Sequence, residues 1–224
     1  GMNSESSTSY HRLVLELFTF PLLFAKKDFS QKYLDRVEKM FEFIFWIRKN
    51  DGSVPIFGDN DSGLFFYYSS RQKNDLTYFD KLYEDIYNRK IDFKKYQGIK
   101  IFKESGITLY KKDKIHLAIA NMPNGQNGNG GHCHNDKLSF ELTIADKPVF
   151  VDPGTYVYTP LPIYRNQYRS TTSHNTVSIG DSEQNRFINN NLFSFSHDVN
   201  DVTNKLDHVS EDMFRYSGTH NGYQ

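Results

Sequence analysis

The sequence predicts an α+β chain in which helices come first and an antiparallel β-sandwich follows. From Tyr10 to about Lys90 the apolar residues recur at helical spacing, whereas after Gln97 they recur with period two. The strands also follow one another without helices between them, which argues for a sandwich rather than βαβ units. The boundary falls near residues 90–97, dividing the chain into a helical part, 1–95, and a β part, 96–224.

In order along the chain, Leu13, Leu17 and Phe20 form a first helical set. Leu34, Val37, Phe41, Ile44 and Phe45 form a second, behind a capping residue at Ser30 and ahead of Asp51-Gly52. A third, weaker helix runs from about Leu76 to Tyr87. Between the second and third lies "DGSVPIFGDNDSG", residues 51–63, whose Gly, Pro, Asp and Asn density marks a structured loop. "IKIFKES", "ITLYKK" and "IHLAIA" read as short strands, with turns at Ser105-Gly106 and Lys112-Asp113. Leu138, Phe140, Leu142 and Ile144 alternate with Ser139, Glu141 and Thr143, which predicts a half-buried strand with its apolar side inward. "DKP" at 146–148 then turns the chain into "VFVD".

Composition narrows the partners. Lys plus Arg and Asp plus Glu are 27 each in 224 residues, so no global field recruits nucleic acid or an anionic membrane, and an anionic partner needs a local cluster. No apolar run approaches the ~18 residues of a membrane span, and "GMNSESSTSY" lacks the regions of a signal peptide. Gly1 before Met2 reads as a remnant of tag removal, so compartment is not readable from this end. Cys133 is the sole cysteine, which rules out an intrachain disulfide.

The chemistry concentrates at "GHCHND", residues 131–136, directly after the Asn/Gly run "NGQNGNGG". If this stretch is extended, His132, His134 and Asp136 project to one side and Cys133 and Asn135 to the other. Two polar islands follow, Asp152 in "VFVDPGTYVY" and His174 in "STTSHNTVSIG", the latter opening another strand. Histidine and carboxylate from separate strand ends suit zinc, although spacing alone more often means surface or hydrogen-bonded histidines and an ordinary turn aspartate. Arg165, Arg169 and Arg186 offer positive charge, and Tyr156, Tyr158, Tyr164 and Tyr168 offer faces on which sugars stack; solvated surface residues are the plain alternative. A cupin-like metal site also begins with H-x-H, but Glu141 stands seven residues after His134, farther than that motif places its glutamate.

"GHCHNDKLSFEL", "PVFVDPGTYVY" and "YRSTTSHNTVSIGDSEQ", in that order, resemble the β-sandwich domain of heparinase II/III-like polysaccharide lyases, while "ESSTSYHRLVLELF" and "PIFGDNDSG" resemble the last helices and a loop of that family's α/α-toroid. The resemblance implies the C-terminal helices of a toroid followed by an antiparallel β-sandwich. It implies β-elimination on an acidic, uronic-acid-containing polysaccharide, and one structural Zn2+ per chain held by His134, Asp152 and His174. His132 then faces the cleft, and Tyr10 is the acid or acid/base, so both are catalytic; Arg165, Arg169 and Tyr158 are the candidates for holding substrate. The family's Asn-His pair upstream of the tyrosine has no counterpart here, so the resemblance implies either a fragment of a longer lyase or an inactive truncated one that binds glycan. Helical faces left bare predict a homo-oligomer, and the resemblance implies a periplasmic or secreted location.

Overall fold

A computed structural model of the chain describes residues 2, 4–60, 63–66, 75–210 and 213–223. Gly1, and Asp61 and Ser62 of the predicted loop, lie outside the described residues.

Helix α1 (Thr8–Thr19) starts where Ser7, with extended backbone, accepts a hydrogen bond from Tyr10 N at 3.2 Å. Its buried face is not the apolar set. Leu17 and Phe20 are 46 % and 41 % exposed, whereas Thr8, His11, Arg12 and Glu16 are buried. The reason is the loop after α3, whose polar backbone this helix satisfies: Thr8 Oγ1 donates to Pro55 O at 2.9 Å, Arg12 donates to Gly63 O, and Glu16 accepts from Phe65 N at 2.7 Å. A short α2 (Leu22–Ala25) follows.

Ser30 caps α3 (Gln31–Ile47), as its sequence predicts. One side of α3, with Val37, Phe41, Ile44 and Phe45, packs on Phe79, Tyr83 and Ile86 of α4 (Tyr78–Tyr87). Its other side, with Phe43, Trp46 and Ile47, packs on Ile107, Leu109, Ala118 and Ala120 of the sheet. This one helix therefore joins the helical and β parts through continuous apolar contact.

Strands β1 (Gly98–Phe102), β2 (Ile107–Lys112), β3 (Ile115–Ala120), β4 (Ser139–Ile144) and β5 (Lys147–Phe150) form an antiparallel sheet in sequence order. β4 reverses its predicted sides: Ser139, Glu141 and Thr143 are buried and Ile144 is 44 % exposed. The polar side faces the loop after α3, where Glu141 pairs with Lys49 at 2.8 Å and accepts from Ile56 N at 2.7 Å. Ala145 and Asp146, both at positive φ, make the tight turn into β5, and Pro148 sits in that edge strand. On the sheet's opposite face lies a ribbon of β6 (Val202–Ser210) and β7 (Met213–His220), tied down by the Asn121 side chain, which donates to Thr203 O and Thr219 O at 2.9 and 3.0 Å.

The strand predicted after His174 does not form. Residues 175–201 are irregular apart from the bridges Ile179–Ser182 and Phe187–Phe195. Their backbone groups are taken by side chains instead: Gln184 N donates to Thr171 Oγ1, Asn185 N to Asn135 Oδ1 and Val199 N to Asn185 Oδ1. Among the described residues, no helix is long and apolar enough to cross a membrane.

Candidate active site

The site is assembled where α1, the loop after α3 and the segment before β4 meet. Gly58 sets the approach. At φ +64° its Cβ, if present, would lie 2.5 Å from His132 O and 2.6 Å from Ser6 O, so only glycine fits. The next residue, Asp59, donates its N–H to His132 O at 2.9 Å, and its own carbonyl accepts from Ser7 Oγ at 2.7 Å. Gly58 N donates to Asp136 Oδ2 at 3.0 Å. His132, His134 and Asp136 thus all face the 58–59 loop, whereas Cys133 faces Asn124 and Gly130, and Asn135 bonds Glu183 and Asn185.

Asp59 is fully buried and gathers the site. Its Oδ2 receives His132 Nδ1 and Arg165 Nη2, both at 3.0 Å. Its Oδ1 receives His134 Nε2 at 2.9 Å, Thr155 Oγ1 at 3.3 Å and Arg165 Nη1. Burial alone would raise the Asp59 carboxyl, but the hydrogen bonds from His132 and His134 and the charges of His134 and Arg165 outweigh it, holding the group well below the usual carboxylate range. Sequence reasoning missed this residue. Its one signal is its place in "PIFGDNDSG", a segment otherwise read as a loop.

Tyr10 and His132 come together: their rings stack with centroids 3.8 Å apart and planes at 22°. His132 Nε2 lies 3.7 Å from Glu5 Oε2. Both rings are only partly buried, so a ligand can reach them, whereas the carboxylate behind His132 is sealed from water. His11, the neighbour of Tyr10, is fully buried, bonded to Met40 O at 3.1 Å and set edge-on to Phe43.

Arg165 and Arg169 are not surface cations. Arg165, on α5 (Pro162–Tyr168), is 0 % exposed and spent on Asp59; Arg169 is 0 % exposed, bonds the carbonyls of Ser194 and Asn191, and lies over the rings of Phe187 and Phe195. Burial, with the nearby Arg165 charge, pushes Arg169 down to about 10. Neither is placed to meet a polyanion in solution, because a guanidinium committed to an internal carboxylate or carbonyls has no fork left to offer. Tyr158 stands beside Arg165, whose guanidinium lies 5.1 Å from its ring centroid. Arg186 is exposed and paired with Asp198 at 2.7 Å. Tyr156, 66 % exposed, stacks on Tyr168 with centroids 5.0 Å apart and meets Tyr164 edge-on, an aromatic surface at the rim of α5.

The three residues named for zinc are neighbours. The His134 and His174 ring centroids are 5.2 Å apart, and His174 Nδ1 meets Asp152 Oδ2 at 2.6 Å. Burial lowers His134 against the pull of Asp59, whereas for His174 the bond to Asp152 overcomes burial and raises it. Among the described residues, no three His, Cys, Asp or Glu side chains converge in the geometry of a metal site. The donor chemistry nevertheless fits one: His134 Nδ1 and His174 Nε2 are both buried with no hydrogen-bond partner among the described residues, an arrangement costly for a polar atom unless something else takes it. Glu141, the residue a cupin-like reading would need, is occupied by Lys49 and by the N–H groups of Ile56 and Asp152.

Comparison with known proteins places the chain. The family model "Heparinase II/III-like, C-terminal" matches residues 95–224. A heparin-sulfate lyase of Bacteroides stercoris is 26 % identical over 208 residues, covering 80 % of this chain and 28 % of that protein. A lysine-methylated heparinase III structure superposes with a TM-score of 0.69 at 20 % identity, covering 98 % of this chain and 36 % of that one. A mutant heparan sulfate lyase from Pedobacter heparinus gives 0.64 at 20 %, again covering 98 % and 36 %. The chain therefore spans well under half the length of the relatives it matches.

Proposed function

Because the chain belongs to the heparinase II/III-like family, we propose that it is a polysaccharide lyase, or the C-terminal portion of one, that cleaves an acidic, uronic-acid-containing glycan by β-elimination. The observation that carries this reading is the Tyr10–His132 stack, open to a ligand on one side and backed by buried Asp59 on the other. In β-elimination a base takes the proton from C5 of the uronate, the C4–O4 bond breaks, a C4=C5 double bond forms, and an acid protonates the departing O4. His132 Nε2 serves as the base and the Tyr10 hydroxyl as the acid; two rings stacked with their centroids 3.8 Å apart can serve one sugar ring.

Zinc belongs to the same proposal. His134, Asp152 and His174 would hold it, and it would supply a structural tie between the segment before β4, the end of β5 and the turn after α5. The helices at 8–47 are read as the end of an α/α-toroid. Their exposed Leu17, Phe20, Leu23 and Phe24, the last 77 % exposed, support that reading, since neighbouring toroid helices would cover them. A second copy of the chain could cover the same face, which sedimentation of the purified protein reads out.

The test is a gene product carrying the upstream region, incubated with heparin-like, alginate-like and other uronic acid polymers. Ultraviolet absorbance of the unsaturated uronate should grow on at least one polymer and vanish in His132→Ala and Tyr10→Phe. Absence of absorbance on every polymer, with glycan binding retained, would leave a binding protein in place of an enzyme.

A further inference from the structure

The two histidines of "GHCHND" touch one carboxylate through different ring nitrogens, His132 through Nδ1 at 3.0 Å and His134 through Nε2 at 2.9 Å. An ionised carboxylate only accepts hydrogen bonds, and Arg165, clamped on both oxygens of Asp59, keeps that group ionised and fixes its plane. Arg165 Nη1 also lies 3.3 Å from His134 Nε2, but the carboxylate oxygen is nearer, at 2.9 Å, and the same guanidinium nitrogen is already bonded to Asp59 Oδ1, so each ring carries its proton on the nitrogen that faces Asp59. For a neutral His132 this leaves the lone pair on Nε2, on the side where Glu5 lies; for His134 it leaves the lone pair on Nδ1, the buried atom with no partner among the described residues.

We propose that Asp59 is a positioning residue that holds His132 and His134 in opposite tautomers, Nδ1–H in the first and Nε2–H in the second. One carboxylate thereby aims one lone pair toward the Glu5 side of His132 and the other at the zinc position. Thr155, which donates to Oδ1 at 3.3 Å, and the backbone bonds of Asp59 to His132 and Ser7 keep the carboxylate from rotating between the rings. The catalytic consequence for His132 rests on the lyase reading above; the tautomers themselves do not. Asp59→Asn offers an amide that can donate as well as accept, so either histidine can flip its proton without losing the contact.

Nitrogen-15 ring spectra of the purified chain, at a pH where the imidazoles are neutral and with and without added zinc, read each tautomer directly. Expected is an unprotonated Nε2 in His132 and an unprotonated Nδ1 in His134; the reverse at either ring overturns the proposal, whatever the enzyme does. In Asp59→Asn the two tautomers should become mixed and zinc affinity should fall about 10- to 100-fold, the effect usual for residues that orient a metal ligand. In whichever form of the protein releases unsaturated product, the same substitution should lower kcat by about 10²–10⁴ with KM little changed, as the equivalent Asp-to-Asn change does where an aspartate sets a histidine tautomer. If Asp59→Asn does not fold, the wild-type spectra alone decide. Expected tautomers in a protein that releases no unsaturated product would sink the lyase reading and spare the positioning role; active enzyme with reversed tautomers would do the opposite.

Discussion

Phe41 and Asp59 are equally sealed from water, and their surroundings are made of opposite materials. Around Phe41 the partners are Phe45, stacked on it, Phe79 and Tyr83, edge-on to it, and Ile86, and such apolar packing tolerates residues of similar volume. Around Asp59 the partners are Arg165, His132, His134 and Thr155, and both carboxylate oxygens have assigned donors. The first region needs shape and the second needs a complete set of hydrogen bonds. A polar interior of this kind adds little net stability and fixes geometry, so its presence marks where the fold is holding groups for a task.

The largest effect should come from breaking the polar layer. Asp59→Ala strands a buried guanidinium, and urea denaturation should show a loss of ~3–5 kcal/mol, whereas Phe41→Leu should cost under ~1.5 kcal/mol. Much of the Asp59→Ala loss should return in the double variant Asp59→Leu/Arg165→Met. Equal losses for Asp59→Ala and Phe41→Leu would erase the contrast.

A second effect concerns two buried imidazoles held in the neutral form. His11 and His116 are pushed down to about 3, His11 by burial and His116 by burial with the Lys111 and Lys49 charges. Both folded values lie below the ordinary 6.5, so their contribution is complete above pH 6.5 and is lost as pH falls from there toward 3. Each should tilt stability by up to ~1.4 kcal/mol per pH unit in that window. His116→Leu should flatten the dependence of the urea midpoint on pH, and an unchanged slope would refute the assignment.

Gly58→Ala should cost ~2–3 kcal/mol, from its positive φ and from the two carbonyls its methyl would strike, and should move the His132 resonances because His132 O is one of them. The smallest effect is Ser7→Ala, ~1 kcal/mol, because Ser7 both caps α1 and holds the Asp59 carbonyl.

Legibility in the sequence follows the same division. α3 could be read from Ser30 to Ile47 because it buries apolar residues at regular spacing, and β1 to β3 could be read because their turns are local. α1 and β4 were placed as elements and turned the wrong way, since each buries a polar face against the loop after α3 and apolar periodicity carries no record of that loop. The grouping of His132 with Tyr10 came from the family resemblance. Asp59 stayed hidden because it stands more than seventy residues from both histidines, in a stretch whose Gly and Asn content reads as a turn. Arg165 and Arg169 read in the sequence as candidates for holding substrate because a buried arginine differs from an exposed one only through partners distant in sequence.

Pro148 has a role in the company the molecule keeps. As the last strand of its sheet, β5 has no described strand on its outer side, and Val149 and Phe150 are 52 % and 44 % exposed. Such a rim invites another polypeptide to pair along it and extend the sheet from molecule to molecule. A proline in the second position of so short a strand removes one backbone donor that an incoming strand would need, and Lys147 beside it adds a charge that a like copy would have to approach. The rim is thereby left apolar enough to pack under a covering segment and too poor in hydrogen-bond donors to template a fibre.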